Sequence, residues 1–121
     1  MAATITSESK SEYLLITGNG ELRSAEDLIE QAEAIYSEFT KHDHTKILID
    51  QRETTFPTRF FSYLDLVDHY VTMPIMLIKI AVVIDPKNKE IGDFWETACN
   101  NRGYQYFAFT SYEEAERWII E

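Results

Sequence analysis

The sequence predicts an α/β domain with a mixed five-stranded sheet in the order β-β-α-β-α-β-α-β-α. Three observations predict it. Short apolar or β-branched runs recur along the chain, amphipathic helical stretches separate the later runs, and 121 residues suit a single domain. Because helices separate the later strands, we expect those strands to be parallel and joined by right-handed crossovers. We therefore expect one domain over residues 1–121.

The start of the sequence predicts two antiparallel strands. Thr4 to Lys10 is polar and β-branched, which favours a short strand at the edge of the sheet. Tyr13 to Thr17 is a stronger apolar run, and Gly18-Asn19-Gly20 after it is typical of a turn. We therefore expect a hairpin-like opening whose first strand is antiparallel to the second.

A clear amphipathic helix and a buried strand follow. Ser24 and Asp27 resemble a capping box with an acid in the place of the usual Glu or Gln. The run from Lys46 to Asp50 is short, apolar and closed by an acid, which favours a buried strand. The helix between them has apolar residues at helical spacing: Ala25, Leu28, Ile29, Ala32, Ile35, Tyr36 and Phe39.

The middle of the chain predicts a second helix and an interior strand. Thr58 is a plausible N-cap for a helix that keeps its apolar period to Val71. Pro74 prevents that helix from continuing smoothly. Ile78 to Ile84 is almost continuously apolar and β-branched, which makes it the best candidate for a central strand buried on both faces.

The last third predicts two more helices around one strand. Pro86 suits the first position of a helix, and Arg102-Gly103 is a typical helix end. Tyr104 to Phe109 alternates aromatic and smaller residues as a strand does. Ser111 and Glu114 form an S-x-x-E capping box that opens the final helix.

Composition narrows the function classes. The formal net charge of −10 argues against duplex nucleic acid or an anionic membrane as the main partner. The single cysteine, Cys99, excludes an internal disulfide framework, and a buried thiol on an apolar helix face is expected. No apolar run approaches the roughly 20 residues of a membrane span. With no secretory signal visible, we expect a cytoplasmic protein. We also expect the protein to hold no cofactor or metal.

Several short strings resemble a known family. They are Gly20-Glu21-Leu22, Ile47-Leu48-Ile49-Asp50, Ile80-Ala81-Val82-Val83 and Thr110-Ser111-Tyr112-Glu113-Glu114-Ala115. In these strings and in its order of elements, the chain resembles the SpoIIAA-like proteins of the STAS superfamily. These are small bacterial domains that are sometimes grouped with the lipid-carrier fold of Sec14 proteins. The resemblance implies a SpoIIAA/STAS-like fold and a non-enzymatic regulatory or protein-interaction module.

The same resemblance points to one phosphorylation site. In anti-sigma-factor antagonists of this superfamily, a serine in the turn after the third strand is phosphorylated by a partner kinase. The matching turn here is Phe56-Pro57-Thr58-Arg59-Phe60, where Pro57 replaces the preceding acid and Phe60 replaces the glycine. The resemblance thus implies Thr58 as the modified position, and a phosphate there would meet the positive end of a helix. The alternative is an unmodified threonine N-cap.

The aromatic residues suggest where a partner binds. Phe60 and Phe61, together with the apolar segment from Met73 to Leu77, predict more apolar surface than one sheet face can cover. An exposed apolar patch marks a protein partner, a homodimer or an apolar ligand, and an ordinary aromatic core is the alternative. The predicted binding residues are Phe56, Thr58, Arg59, Phe60, Phe61, Leu64 and Met76.

Two further hypotheses stay open. The first is a carrier for a small apolar or lipid-like ligand, with a cavity between the second helix and the sheet lined by Phe60, Leu64, Val67, Met76 and Ile78. The second, less favoured, is an acid-dependent enzyme that uses Asp50 and Asp85, because ligands favour the carboxyl ends of parallel strands. Its alternative is that Asp85 caps a helix and Asp50 ends its strand in water.

Overall fold

The computed structural model describes residues 4–56, 78–101 and 103–121. In these residues the chain forms five strands, three α-helices and one 3₁₀ helix. The strands are β1 (Thr4–Ser9), β2 (Leu14–Glu21), β3 (Lys46–Thr55), β4 (Lys79–Val83) and β5 (Gln105–Phe109). The α-helices are α1 (Ala25–Thr40), α2 (Lys89–Asn100) and α3 (Tyr112–Ile120), and the 3₁₀ helix is Pro86–Asn88.

All five strands form one mixed sheet in the order β1-β2-β3-β4-β5. β1 is antiparallel to β2, whereas every later neighbour is parallel. This confirms the predicted mixed sheet with an antiparallel strand at its edge. β3 is the middle strand. β4, the predicted central strand, lies between β3 and β5, and four of its five residues are buried.

The turn predicted at Gly18-Asn19-Gly20 is wrong. These three residues continue β2, which pairs with β3 beyond Asp50 as far as Thr55. The physical reason is that β3 is twice as long as its apolar run, 10 residues instead of five. The backbone groups of the glycine segment therefore find ladder partners and do not turn away.

The helix ends follow the predicted capping chemistry with one correction. The Ser24 and Ser111 hydroxyls accept hydrogen bonds from the backbone N–H groups of Asp27 and Glu114. Gly103, with a φ of 92°, follows α2 in the left-handed conformation. Pro86, however, begins a 3₁₀ helix in which the N–H of residue 88 donates to the carbonyl of residue 85 at 2.8 Å, and the α-helix starts only at residue 89.

Helices cover both faces of the sheet. The face that bears α1 and α2 is called the α1 face, and its buried residues include Ile47, Ile49, Ile80 and Val82. The opposite face bears α3 and is called the α3 face. On this side, the strand residues that alternate with the first set, Leu48, Ala81 and Val83, pack against Ala115 and Ile119 of α3. The period of two along each strand thus supplies two separate cores.

Candidate functional site

A cavity of about 100 Å³ lies on the α1 face, between the sheet and the two helices. Ile49 and Val82 form part of its floor, and Ala32 of α1 and Trp95 of α2 form part of its walls. Protein interiors contain few voids larger than a water molecule. Since a water needs only about 10–15 Å³, the space between these described residues is larger than one water needs.

The described residues that line the cavity are mostly apolar. None of the described residues that line it carries a charge. Hydrogen-bonding groups among them are carried by two glutamines, three tyrosines, one tryptophan and one cysteine: Gln31, Gln51, Tyr36, Tyr104, Tyr106, Trp95 and Cys99. An environment of this kind favours apolar molecules and strongly disfavours an isolated ion.

The two glutamine amides bind each other. Gln51 Nε2 donates to Gln31 Oε1 at 2.8 Å, and Gln31 Nε2 donates to Gln51 Oε1 at 3.4 Å. Thr54 Oγ1 donates to the same Gln51 oxygen at 2.7 Å. All three side chains are buried. We call Gln31, Gln51 and Thr54 the amide cluster; its hydrogen bonds link α1 to β3. They also satisfy amide groups that would be costly to bury without partners.

A β-bulge explains how the amide cluster forms. Thr17 pairs with Asp50 but Asn19 pairs with Glu53, so Gly18 stands opposite two residues of β3. Such a bulge changes the direction of the side chains that follow it, which lets Gln51 and Thr54 meet on one face.

Gly18 leaves the space that the cluster fills. A Cβ at position 18 would lie 2.2 Å from Gln51 Oε1 and 2.9 Å from Thr54 Oγ1. The Gln51 amide cannot retreat without loosening its hydrogen bonds to Gln31 and Thr54. The glycine that resembles a turn signal in the sequence is therefore a requirement of close packing.

The two predicted acids have structural partners. Asp50 accepts two hydrogen bonds from the Arg52 side chain, at 2.9 and 2.7 Å. Burial acts to raise the pKa of Asp50, but the hydrogen bonds and charge of Arg52 outweigh it and lower that pKa. Asp85 accepts from the backbone N–H of Lys87 at 3.0 Å and so caps the 3₁₀ helix. Both carboxylates are thus explained by the fold.

The described residues also offer no cluster of metal ligands. Across residues 4–56, 78–101 and 103–121, no group of three or more His, Cys, Asp or Glu side chains is close enough to hold a metal ion. In the same part of the chain, no helix is long and apolar enough to cross a membrane.

The structure describes only some of the predicted site residues. Phe56 is half-buried, packs against the cluster of Leu22, Leu28 and Trp95, and lines the cavity. Ile78, expected in a carrier cavity, also lines it. Outside the described residues lie the helix predicted from Thr58 to Val71 and the remaining predicted positions: Thr58, Arg59, Phe60, Phe61, Leu64, Val67 and Met76.

The sequence analysis missed the amide cluster. Gln51 directly follows the buried strand run and Gln31 adjoins the apolar stripe of the first helix. A glutamine beside a buried apolar run can indicate a buried polar contact. The partner of Gln51, however, depends on a bulge that a strand pattern does not reveal.

Comparisons with known proteins support the fold. A scan against models of protein families found no match, and a search of curated proteins found none either. Among solved structures, an anti-sigma factor antagonist from Mycobacterium paratuberculosis matches with a TM-score of 0.67 and 11% identity. The match covers 99% of this chain and 96% of that one.

A second solved structure gives the same result. An uncharacterized protein of the DUF3478 family from Shewanella loihica PV-4, described as having a SpoIIAA-like fold, matches with a TM-score of 0.59 and 15% identity. The match covers 98% of this chain and 93% of that one. At these identities the likeness establishes the fold, which is the SpoIIAA-like STAS fold implied by the sequence resemblance.

Proposed function

Since the chain has the SpoIIAA-like STAS fold, we propose that it is a non-enzymatic regulatory module that acts by binding a protein partner. One observation carries this proposal: an anti-sigma factor antagonist, a protein class that works through protein partners, shares the fold over 99% of this chain. The partners of Asp50 and Asp85 support it, because the two acids of the alternative enzyme hypothesis bind Arg52 and the start of a 3₁₀ helix.

We propose that the partner binds the predicted helix from Thr58 to Val71 and the apolar segment after it. The apolar side chains predicted there, Phe60, Phe61 and Leu64, suit the core of a protein interface. Phosphorylation of Thr58 is a variant of this proposal, in which the added charge would control binding.

Co-purification from the native host tests the partner surface. The tagged full chain is compared with Phe61→Asp and with a matched control, Phe107→Asp, because Phe107 lies on β5 and is 42% exposed. We expect quantitative mass spectrometry to find a protein that co-purifies with both the wild type and the control. Its amount with Phe61→Asp should be lower by at least about tenfold. Circular dichroism checks that both variants fold. Equal retention by all three chains would contradict the proposed surface.

A second pair of variants tests the switch. Thr58→Glu adds a negative charge at the predicted helix start, whereas Thr58→Ala removes the hydroxyl without adding charge. If phosphorylation controls binding, the Glu variant changes partner retention and the Ala variant resembles the unmodified wild type. Equal partner retention by both variants would contradict control by phosphorylation at Thr58. It would not contradict the proposal that the chain binds a protein partner.

A second candidate function is binding of a small apolar molecule, which the cavity on the α1 face favours specifically. Native mass spectrometry of the chain purified from its host tests it, since a retained ligand adds a small, dissociable mass. The same spectrum would also detect a homodimer by its mass. A bare chain in every charge state would argue against a tightly held natural ligand.

A further inference from the structure

We propose that two copies of this chain pair through β1, antiparallel and centred on Ser7, so that their sheets join edge to edge. This inference goes beyond the proposed function, which assigns a different protein partner to the predicted helix from Thr58 to Val71. The two proposals concern different residues, so each can fail without the other.

The described sheet has two edge strands, β1 and β5, and side chains of α2 protect the β5 edge. Asn100 Nδ2 donates to the Tyr106 carbonyl at 2.7 Å, and the Tyr106 N–H donates to Asn100 Oδ1 at 3.3 Å. The Ala108 N–H donates to Glu96 Oε1 at 2.9 Å. An incoming strand would have to displace these hydrogen bonds, so β5 is poorly suited to pairing with another chain.

The hydrogen bonds between β1 and β2 determine which backbone groups of β1 point outward. The Lys10 N–H donates to the Tyr13 carbonyl at 2.9 Å, in the same register that pairs the rest of β1 with β2. In an antiparallel ladder, hydrogen-bonded pairs alternate with pairs whose backbone groups point away from each other. Counted back from residue 10, the residues whose N–H and C=O groups point away from β2 are Ile5, Ser7 and Ser9.

The β1 edge lacks the protection that α2 gives to β5. Within residues 4–56, 78–101 and 103–121, no group binds the outward N–H and C=O groups of β1. The contacts there involve side chains only: the Ser7 hydroxyl donates to Glu38 Oε1 at 2.6 Å, and Ser9 Oγ shares a hydrogen bond of 2.9 Å with His44 Nε2. The backbone of β1 therefore offers a row of donors and acceptors to another strand.

A second copy of β1 matches this row. With Ser7 opposite Ser7 of the second copy, each outward N–H faces an outward C=O, which gives about six hydrogen bonds. The same register places Thr6 opposite Glu8 of the second copy and Thr4 opposite Lys10. No like charges are thus directly opposite each other, which would be destabilising.

The local charge balance permits a second copy in spite of the net charge of −10. Lys10 Nζ lies 2.8 Å from Glu8 Oε2, and Lys41 Nζ lies 2.6 Å from Glu38 Oε2. The two Glu8 side chains would lie diagonally across the interface, but each is offset by its own Lys10. Bringing two β1 edges together therefore adds little repulsion.

Sedimentation velocity of the full chain over a range of concentrations tests the dimer. Ser7→Pro removes the outward N–H at the centre of the interface and keeps the pairing with β2, since an edge strand tolerates a proline whose N–H position faces outward. Ser7→Ala is the matched control, because it also loses the hydroxyl contact with Glu38 but keeps the N–H. Ser7→Pro removes two hydrogen bonds per dimer, so we expect its dissociation constant to rise by at least about tenfold. The constant for Ser7→Ala should stay close to the wild-type value.

Hydrogen exchange followed by NMR tests the same edge in the wild type, and does not depend on the folding of a variant. The amides of Thr6 and Glu8 bind β2 and should be protected at every concentration. The Ser7 amide should become protected only at concentrations at which the dimer forms.

Cysteine cross-linking tests the register. In the proposed dimer the two Ser7 Cα atoms lie about 5.5 Å apart, a separation that a disulfide can bridge. Under mild oxidation, Ser7→Cys should form a covalent dimer. Thr4→Cys is the control, because its two copies would lie about 20 Å apart. Both variants keep the native Cys99, which is buried.

Each contrary outcome would overturn the inference. A chain that stays monomeric at every concentration would exclude the dimer, and a Ser7 amide protected in the monomer would show that another segment of the same chain covers the edge. A dimer that Ser7→Pro leaves unchanged would place the interface elsewhere. Efficient cross-linking through Thr4→Cys and not Ser7→Cys would exclude the proposed pairing. None of these results bears on the partner surface, which Phe61→Asp tests separately.

Discussion

The two faces of the sheet are built from the same strands but pack differently. On the α3 face, Leu48, Ala81 and Val83 are completely buried against a helix whose Ala115 and Ile119 are also completely buried. On the α1 face, the neighbouring residues of the same strands are also buried, yet they border a cavity of about 100 Å³ and a pair of buried amides.

This difference separates a completely buried face, which stabilises the fold, from a face whose described residues border a cavity. Cavities and buried polar groups both lower stability relative to a filled apolar core. Of the two faces, the α1 face, where the described residues border a cavity, is the better candidate for ligand binding.

Matched truncations on β3 should show the largest effect. Leu48 faces α3 and its neighbour Ile49 borders the cavity. We expect Leu48→Ala to lower the free energy of unfolding by about 4 kcal/mol and Ile49→Ala by about 2 kcal/mol, because Leu48 is completely buried whereas Ile49 borders the cavity. Urea denaturation measures both values.

The denaturation slope m serves as the control for this pair, since an unchanged slope shows that both variants unfold from a comparable native state. Equal losses, or a greater loss at Ile49, would show that the α1 face is as tightly filled as the α3 face. The comparison between the faces would then fail.

Gly18→Ala is the next largest expected effect. The added Cβ would meet Gln51 Oε1 at 2.2 Å and disturb the amide cluster, so we expect a loss of about 2 kcal/mol. Asn19→Ala is the control, because Asn19 is the next residue of β2 and is exposed. Thermal unfolding should show a clear fall in Tm for Gly18→Ala and almost none for Asn19→Ala. Similar small shifts for both would mean that the cluster yields easily.

Local sequence signals predicted most of the described fold. The capping residues Ser24 and Ser111 and the glycine at 103 marked helix ends correctly, because these signals act within a few residues. The apolar runs at 46–50 and 78–84 marked interior strands, because a parallel sheet buries both sides of each strand.

The candidate site was less predictable, since it depends on contacts across the sheet. Gly18 resembles a turn residue in the sequence, and only its pairing opposite a bulged β3 shows why it is glycine. Gln31 and Gln51 are 20 residues apart, and no periodic pattern marks them as partners. The size of a cavity depends on how side chains from α1, α2 and the sheet meet, which composition does not specify.

Adding one methylene to each face should give opposite signs. Val82 borders the cavity, whereas Val83, the next residue, is completely buried on the α3 face. We expect Val83→Ile to lower the free energy of unfolding by about 1.5 kcal/mol through overpacking. Val82→Ile should raise it by about 0.8 kcal/mol, the value of one buried methylene. Losses of similar size in both variants would indicate that the cavity has no spare volume.

The last prediction concerns the side-chain hydrogen bond between Tyr13 and α3. The Tyr13 hydroxyl donates to Glu116 Oε2 at 2.5 Å, and burial and then this hydrogen bond raise the pKa of Tyr13. Tyr13→Phe should therefore lower the free energy of unfolding by about 1 kcal/mol at pH 8. Because the folded-state pKa lies above the unfolded value of about 10, Tyr13 contributes its stability fully below pH 10 and loses it as the pH rises further. The difference between wild type and variant should thus shrink between pH 10 and pH 11 in urea titrations. A difference that widens over that range would show that the Tyr13 phenol ionises more readily in the folded than in the unfolded chain. The α3 face would then be more accessible to water than its burial indicates.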